Sequence, residues 1–272
     1  MKIGNKTFVF SNENYVMGIL NVTPDSFSDG GKFVVIDEAR RQVKKMIEEG
    51  ADIIDVGGES TRPGHEDVSV SEEIKRVVPV IQMLAEEFDV VISVDTSKAV
   101  VAEAAIQAGA HMVNDVWGLK KDPEMAQVVA KYDVAVCIMH NRENDVYKDL
   151  IMDIVMDLGE SIKIAMDHGV AREKIIIDPG IGFAKSVEEN LLIMRDLKVF
   201  NQLGYPLLLG TSRKSMIGKT LDLPVGERLE GTIATTVLGV QAGAAIFRVH
   251  DVEGNKRAID MTRAILMVGM KD

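Results

Sequence analysis

The chain has 272 residues, the length of one large α/β domain, and its 46% hydrophobic and 27% charged residues are globular proportions that exclude disordered and fibrous classes. Its 31 basic and 42 acidic residues leave a net charge of −11 without a basic cluster, which argues against nucleic-acid or membrane partners and favours small molecules. The single cysteine, Cys137, excludes an intramolecular disulfide, and neither a signal-like apolar N-terminus nor a run of about 18 apolar residues occurs, so a soluble cytoplasmic protein is expected.

In chain order, segment 2–10 places Gly4, Asn5 and Lys6 between apolar residues and reads as a small hairpin suited to plug a barrel floor. Eight short apolar runs follow, at 15–20, 51–56, 90–94, 111–113, 134–139, 175–177, 206–209 and 244–249, and each reads as a strand. Helical periodicity fills the intervals at 38–49, 72–88, 99–108, 123–132, 151–168, 187–203, 227–241 and 255–267. Gly50 stops the first helix, and Ser69 with Glu72 has the spacing of a capping box before the second. Eight strand-helix units predict one closed (β/α)8 TIM barrel over 1–272. An open doubly wound sheet is disfavoured, because no dinucleotide fingerprint opens the series and Gly180 with Gly182 lacks the third glycine. Arg213 stands where a phosphate loop ending in Gly218, Lys219 and Thr220 needs glycine, and the five histidines form no zinc-ligand cluster.

In such a barrel the chemistry gathers at the C-terminal ends of the strands. Those ends here carry Asn21 to Gly31, Gly57 to Gly64, Asp95 with Thr96, Asn114 with Asp115, His140 to Arg142, Asp178 to Gly180, Gly210 to Ser215, and Arg248 to Asp251. Any one of Asp95, Asn114 or Asp178 has an ordinary reading as a helix cap or turn former, but capping alone does not crowd one barrel mouth with polar side chains. Directed inward, these three offer acceptors and an amide in one plane, which suits a flat heterocycle with adjacent N–H groups, such as a 2-amino-4-oxopteridine. Arg62, Lys214, Arg248 and His250 add cationic and N–H donor groups around the same mouth of an acidic protein, and they imply an anionic substrate part.

The ordered set 18–30, 55–63, 93–96, Asn114 with Asp115, 178–183, 211–215 and 248–251 resembles the dihydropteroate synthases of bacterial folate biosynthesis, over nearly the whole chain. The resemblance implies condensation of 6-hydroxymethyl-7,8-dihydropterin diphosphate with p-aminobenzoate to 7,8-dihydropteroate and pyrophosphate, with Mg2+, in an enzyme class targeted by sulfonamides. By the family pattern Asp95, Asn114 and Asp178 hold the pterin edge, Lys214 contacts the ring, and Asn21, Thr61, Arg62, Arg248 and His250 handle the diphosphate, Asn21 also helping to hold the metal. Phe27, Pro63, Phe183 and Ser215 then form the aminobenzoate pocket. Asp95, Lys214 and Arg248 are the expected catalytic groups, in a mechanism where pyrophosphate departs first and the neutral arylamine attacks the pterin methylene.

Two departures from the family pattern stand out: Ala184 replaces a frequent glycine, and the segment 139–145 is unusually acidic, which leaves the roles of His140 and Arg142 open. A corrinoid-linked methyltransferase shares barrel and pterin acids but needs no diphosphate clamp. A Schiff-base aldolase using Lys214 and a non-catalytic pterin-binding module also compete with the synthase. Family members are typically homodimers, and the apolar C-terminal segment 264–270 suits such an interface.

Overall fold

Residues along each parallel strand alternate between two apolar environments, as they must when a sheet is covered by helices outside and closed on itself within. The computed structural model describes residues 1–11, 13–22, 32–59 and 68–269. Its elements run β1 (Lys2–Ile3), β2 (Lys6–Thr7), β3 (Tyr15–Asn21), α1 (Lys32–Glu48), β4 (Ile53–Gly57), α2 (Val70–Glu87), β5 (Val91–Asp95) and α3 (Ala99–Gln107). Then come β6 (Met112–Asp115), α4 (Met125–Tyr132), β7 (Ala135–Met139), α5 (Leu150–Asp167), β8 (Ile175–Asp178) and α6 (Val187–Arg195). The chain continues through β9 (Leu208–Leu209), α7 (Ser215–Leu221), α8 (Leu229–Ala242), β10 (Ile246–Val249) and α9 (Val252–Leu266).

The eight barrel strands lie in the order β8-β7-β6-β5-β4-β3-β10-β9, all parallel. A parallel bridge between Ile177 and Leu207, with Ile177 N–H donating to Pro206 O at 3.0 Å, joins β8 to the segment entering β9 and closes the TIM barrel. Alternate residues such as Ile54, Val56, Ile92, Val94, Val113 and Val136 face the helices in the larger core. Their neighbours Ile53, Val91, Met112, Ala135, Ile176 and Ile246 fill the barrel interior. The antiparallel pair β1 and β2 adds Ile3 and Phe8 to that inner layer, so the expected N-terminal hairpin does shut the floor.

Local chemistry explains the helix starts. Ser69 caps α2 by accepting from Glu72 N–H, but Glu72 turns its carboxylate to Arg76 at 3.1 Å instead of completing a box. A complete capping box forms at α6, between Ser186 and Glu189. The helix expected over 187–203 is two pieces: α6 ends at Arg195, and Leu197–Leu203 winds as a 3-10 helix. Three residues per turn bring Leu197 and Phe200 onto one face, and both are fully buried. Among the described residues no helix is long and apolar enough to cross a membrane.

Candidate active site

The inward-facing alternation that fills the barrel with apolar side chains turns polar toward the C-terminal ends. Two residues above Ile53 stands Asp55; two above Val91 and four above it stand Ser93 and Asp95; two above Met112 stands Asn114, and two above Ile246 stands Arg248. Register pairs Asn21 with Gly57, Gly57 with Asp95, and Asp95 with Asn114, so these residues form one row around the mouth.

Arg248 crosses the interior between two carboxylates: its Nε donates to Asp55 Oδ2 and its Nη2 to Asp95 Oδ2, each at 2.6 Å. Burial opposes the charge on Arg248, yet the two carboxylates hold its pKa above the usual arginine value. Asp95 moves the other way: burial raises it to about 7 against the pull of Arg248, and Asp55 adds to the rise. Asn114 Nδ2 donates to Asp55 Oδ2 at 3.1 Å. A carboxylate accepts only, so this bond fixes the amide with nitrogen toward Asp55 and directs its carbonyl oxygen elsewhere. Asp55 Oδ1, Ser93 Oγ and Asp95 Oδ1 are buried without a hydrogen-bond partner among the described residues, leaving acceptor capacity for N–H groups.

Across the mouth, Asp178 ends β8 and is held by Gly180 N–H on Oδ1 at 2.7 Å. Burial raises its pKa, while the Gly180 N–H and the Lys214 and Arg248 charges oppose the rise. Lys214 lies with Nζ 4.2 Å from the centre of the Phe183 ring. Gly182 makes that approach possible: its φ is +87°, and a Cβ there would sit 3.0 Å from Lys214 Cδ. A cavity at this mouth is lined by Asn114, Asp178, Lys214, Arg248, Phe183 and Gly210 among its polar, aromatic and backbone walls, with Val116, Met139 and Ile181 completing it.

The structure thus gathers Asn114, Asp178, Lys214, Arg248 and Phe183 at one cavity and joins Asp95 to it through Arg248. His250 lies one residue past β10, with Ser212 Oγ between its own N–H at 3.1 Å and its Nδ1 at 3.0 Å. Ser215 opens α7 on the exposed side of that loop, and Asn21 ends β3 half-buried at the rim. Phe27, Thr61, Arg62 and Pro63 lie outside the described residues. Arg213 is committed to Asp251 through two bonds of 2.7 and 3.0 Å.

Asp55 is the residue that sequence reasoning missed as a site group. Its signal was an ionisable side chain inside the apolar run of β4, on the inward face by alternation. His140, whose role was open, is buried and bridges two partners: its Nε2 meets Asp157 Oδ2 at 3.0 Å and its Nδ1 meets Lys185 Nζ at 2.9 Å. Among the described residues there is no cluster of three or more His, Cys, Asp or Glu able to hold a metal alone.

The family described as pterin binding enzyme matches this chain over residues 17–250. A dihydropteroate synthase of Clostridium beijerinckii is 61% identical over 267 residues, covering 98% of this chain and 99% of its own. A dihydropteroate synthase of Clostridium difficile, solved in the presence of pteroic acid, superposes with TM-score 0.93 at 56% identity, covering 95% of this chain and 99% of its own. That of Xanthomonas albilineans, solved with 4-aminobenzoic acid, gives TM-score 0.90 at 40% identity over 94% of each chain.

Proposed function

The chain belongs to the pterin binding enzymes, and from that premise we infer that it is a dihydropteroate synthase, a transferase joining 6-hydroxymethyl-7,8-dihydropterin diphosphate to p-aminobenzoate. The observation that carries the reading is the pairing, in one barrel mouth, of buried acceptors Asp95 and Asp178 with Lys214 stacked on Phe183. Adjacent ring N–H groups satisfy the carboxylates, the Asn114 amide adds an acceptor and a donor, and the Lys214 and Phe183 pair covers the face of a flat ring.

In the reaction the bond between the pterin methylene carbon and the diphosphate oxygen breaks, and the electron pair leaves with pyrophosphate. The arylamine nitrogen attacks the methylene and loses one proton to solvent, so the product is 7,8-dihydropteroate. An aniline nitrogen is unprotonated near neutral pH, and the chain therefore has to orient and stabilise more than to deprotonate. Asp95 and Asp178 counter the positive charge that develops on the pterin as the leaving group departs. Arg248 favours the ionised form of Asp95 by pairing with it and so opposes the rise that burial imposes, while Lys214 and His250 are assigned to the side from which the diphosphate leaves.

Mg2+ belongs to this proposal. Gly57 leaves a space that a Cβ would fill, 3.7 Å from Asn21 Oδ1, and such a hard oxygen suits a cation that takes few protein ligands and completes its shell with water and phosphate. When bound, the ion neutralises charge on the departing diphosphate. A cytoplasmic homodimer is proposed as well, supported by the buried free thiol of Cys137 and by the exposed apolar strip of Met261, Ile265 and Val268 at the end of α9.

The test is to mix purified protein, pterin diphosphate and Mg2+ with and without p-aminobenzoate, following pyrophosphate release and product mass. Release coupled to the dihydropteroate mass is expected. Pterin binding without turnover would point to a methyltransferase or a silent binding module, and no pterin binding would mean that the strand-end acids serve another ligand.

A further inference from the structure

Lys185 lies outside the cavity wall, yet its side-chain hydrogen bonds among the described residues all go to the turn that builds that wall or to the histidine beside it. Its Nζ meets three acceptors: Gly180 O at 3.0 Å, Phe183 O at 2.9 Å and His140 Nδ1 at 2.9 Å. An ammonium has three N–H donors and no acceptor, so the count closes with the lysine charged and the imidazole lone pair on Nδ1 directed at it. That tautomer is set from the far side, because Asp157 Oδ2 takes the proton on His140 Nε2 and is itself anchored by Arg142 Nε at 2.6 Å. Asp157, His140 and Lys185 therefore form one buried relay from α5 to the turn after β8.

That turn holds several parts of the site. Phe183 N–H donates to Gly180 O at 3.2 Å, closing it, and Gly180 N–H aims Asp178. It lies so flat on the end of β7 that a Cβ at Gly180 would fall 2.0 Å from His140 O. Gly182 seats Lys214, and Phe183 carries the ring beneath its ammonium. A shift of the Gly180 or Phe183 carbonyl moves the pterin acceptor and the aromatic platform together.

On the reading given under Proposed function, we propose that Lys185 is a positioning residue for the synthase reaction: its ammonium, presented by His140 and Asp157, fixes the 180–183 turn in the geometry that binds both substrates. The long side chain is drawn out of water for this purpose; burial, with Lys214 nearby, lowers its pKa to about 7, and Asp178 works against the fall. An isolated stabilising lysine would account for the burial, but not for bonds that converge on the two ends of one ligand-bearing turn.

The test compares the full-length enzyme with Lys185→Met and Lys185→Cys, the latter before and after aminoethylation with 2-bromoethylamine, which restores an ammonium at nearly the same reach. Cys137 is the only native cysteine; it is buried, and burial raises its thiol pKa well above the usual value, so native-state alkylation spares it. The readouts are KM for each substrate, kcat, and binding of 6-hydroxymethylpterin without Mg2+ or diphosphate. Lys185→Met is expected to raise both KM values and the pterin Kd about tenfold, the equivalent of one displaced positioning contact of about 1.4 kcal/mol, with kcat at saturation within about threefold. Aminoethylation of the cysteine variant restores the KM values.

Unchanged KM values per folded molecule, a loss confined to kcat, or no recovery in a cysteine variant whose aminoethylation at position 185 is verified by mass would each overturn the proposal. If Lys185→Met fails to fold, His140→Gln loosens the relay from its other side and is read in the same way. An inactive parent enzyme refutes the synthase reading itself; an active parent with indifferent Lys185 variants refutes this inference alone.

Discussion

Asp55 offers the sharpest check on how the barrel interior holds its charge. Its Oδ2 accepts from both Arg248 Nε and Asn114 Nδ2, while its side chain is fully buried. Asp55→Asn keeps the shape and leaves an oxygen able to accept from both donors, but it removes the charge. A bond to a charged group contributes about 1.5–3 kcal/mol and a neutral one about 0.5–1.5 kcal/mol, so two bonds weakened by about 1 kcal/mol each predict a loss of about 2 kcal/mol in folding stability. Asp55→Leu removes the acceptor as well, leaving Arg248 a single carboxylate and Asn114 an unpaired N–H, and about 3–5 kcal/mol is expected. Relief by removing a buried ion pair does not arise, because Arg248 and Asp95 both remain.

Urea unfolding with the m-value held as a control measures both losses. The function of the pair is read from the single tryptophan, Trp117, which packs with Val116, Met139 and Phe183 at the cavity, so quenching by a bound pterin reports occupancy. Because Asp55 orients the Asn114 amide, Asp55→Asn should also weaken pterin binding about tenfold. A stability change below about 0.5 kcal/mol, or Asp55→Leu no worse than Asp55→Asn, would refute the reasoning.

Three more expectations rest on the same geometry. Gly182→Ala places a Cβ against Lys214 at a positive φ and should cost about 1–2 kcal/mol while weakening pterin binding; unchanged binding by Trp117 quenching would show that Lys214 is not seated by this glycine. His140 is kept neutral to about pH 3 by burial and the Lys185 charge, whereas its unfolded counterpart protonates near 6.5, so the folded state loses about 2 kcal/mol between pH 7 and pH 5. Asp95 at about 7 and Asp115 at about 6 act with the opposite sign, since the folded chain takes up those protons first; the diagnostic is that His140→Gln loses less stability than the parent over this interval, and parallel slopes in urea titrations would contradict it. Chelation of Mg2+ should abolish pyrophosphate release yet leave binding of the diphosphate-free pterin within about twofold; equal loss of both would place the ion in ring recognition instead.

The inward acids were legible because strand alternation is a two-residue code: once β5, β6 and β8 are recognised, Asp95, Asn114 and Asp178 must share the inner face. What they bond to is another matter. Arg248 reaches Asp55 across 193 positions of sequence because barrel closure brings β10 beside β3, and β3 beside β4, and no local pattern carries that distance. The same limit hid the relay, where Lys185 meets His140 from 45 positions away. The break in the 187–203 helix escaped notice for a different reason, since a 3-10 turn and an α-turn share the same i, i+3 apolar spacing at Leu197 and Phe200. In the first two strand-end loops Arg62 is legible as a strand-end cation, whereas Phe27, Thr61 and Pro63 rest on the family pattern alone.

The plugged floor has a consequence for traffic. With Ile3 and Phe8 sealing the N-terminal end over a layer of Met17, Ile53, Val91 and Met112, a ring seated at the level of Asn114 and Asp178 enters and leaves through the mouth that Phe183 and Lys214 border. Such a vessel loads like a stack, with the innermost guest first in and last out. A compound that lodges on the outer platform after the pterin therefore traps it, and its apparent potency should rise with pterin concentration instead of falling.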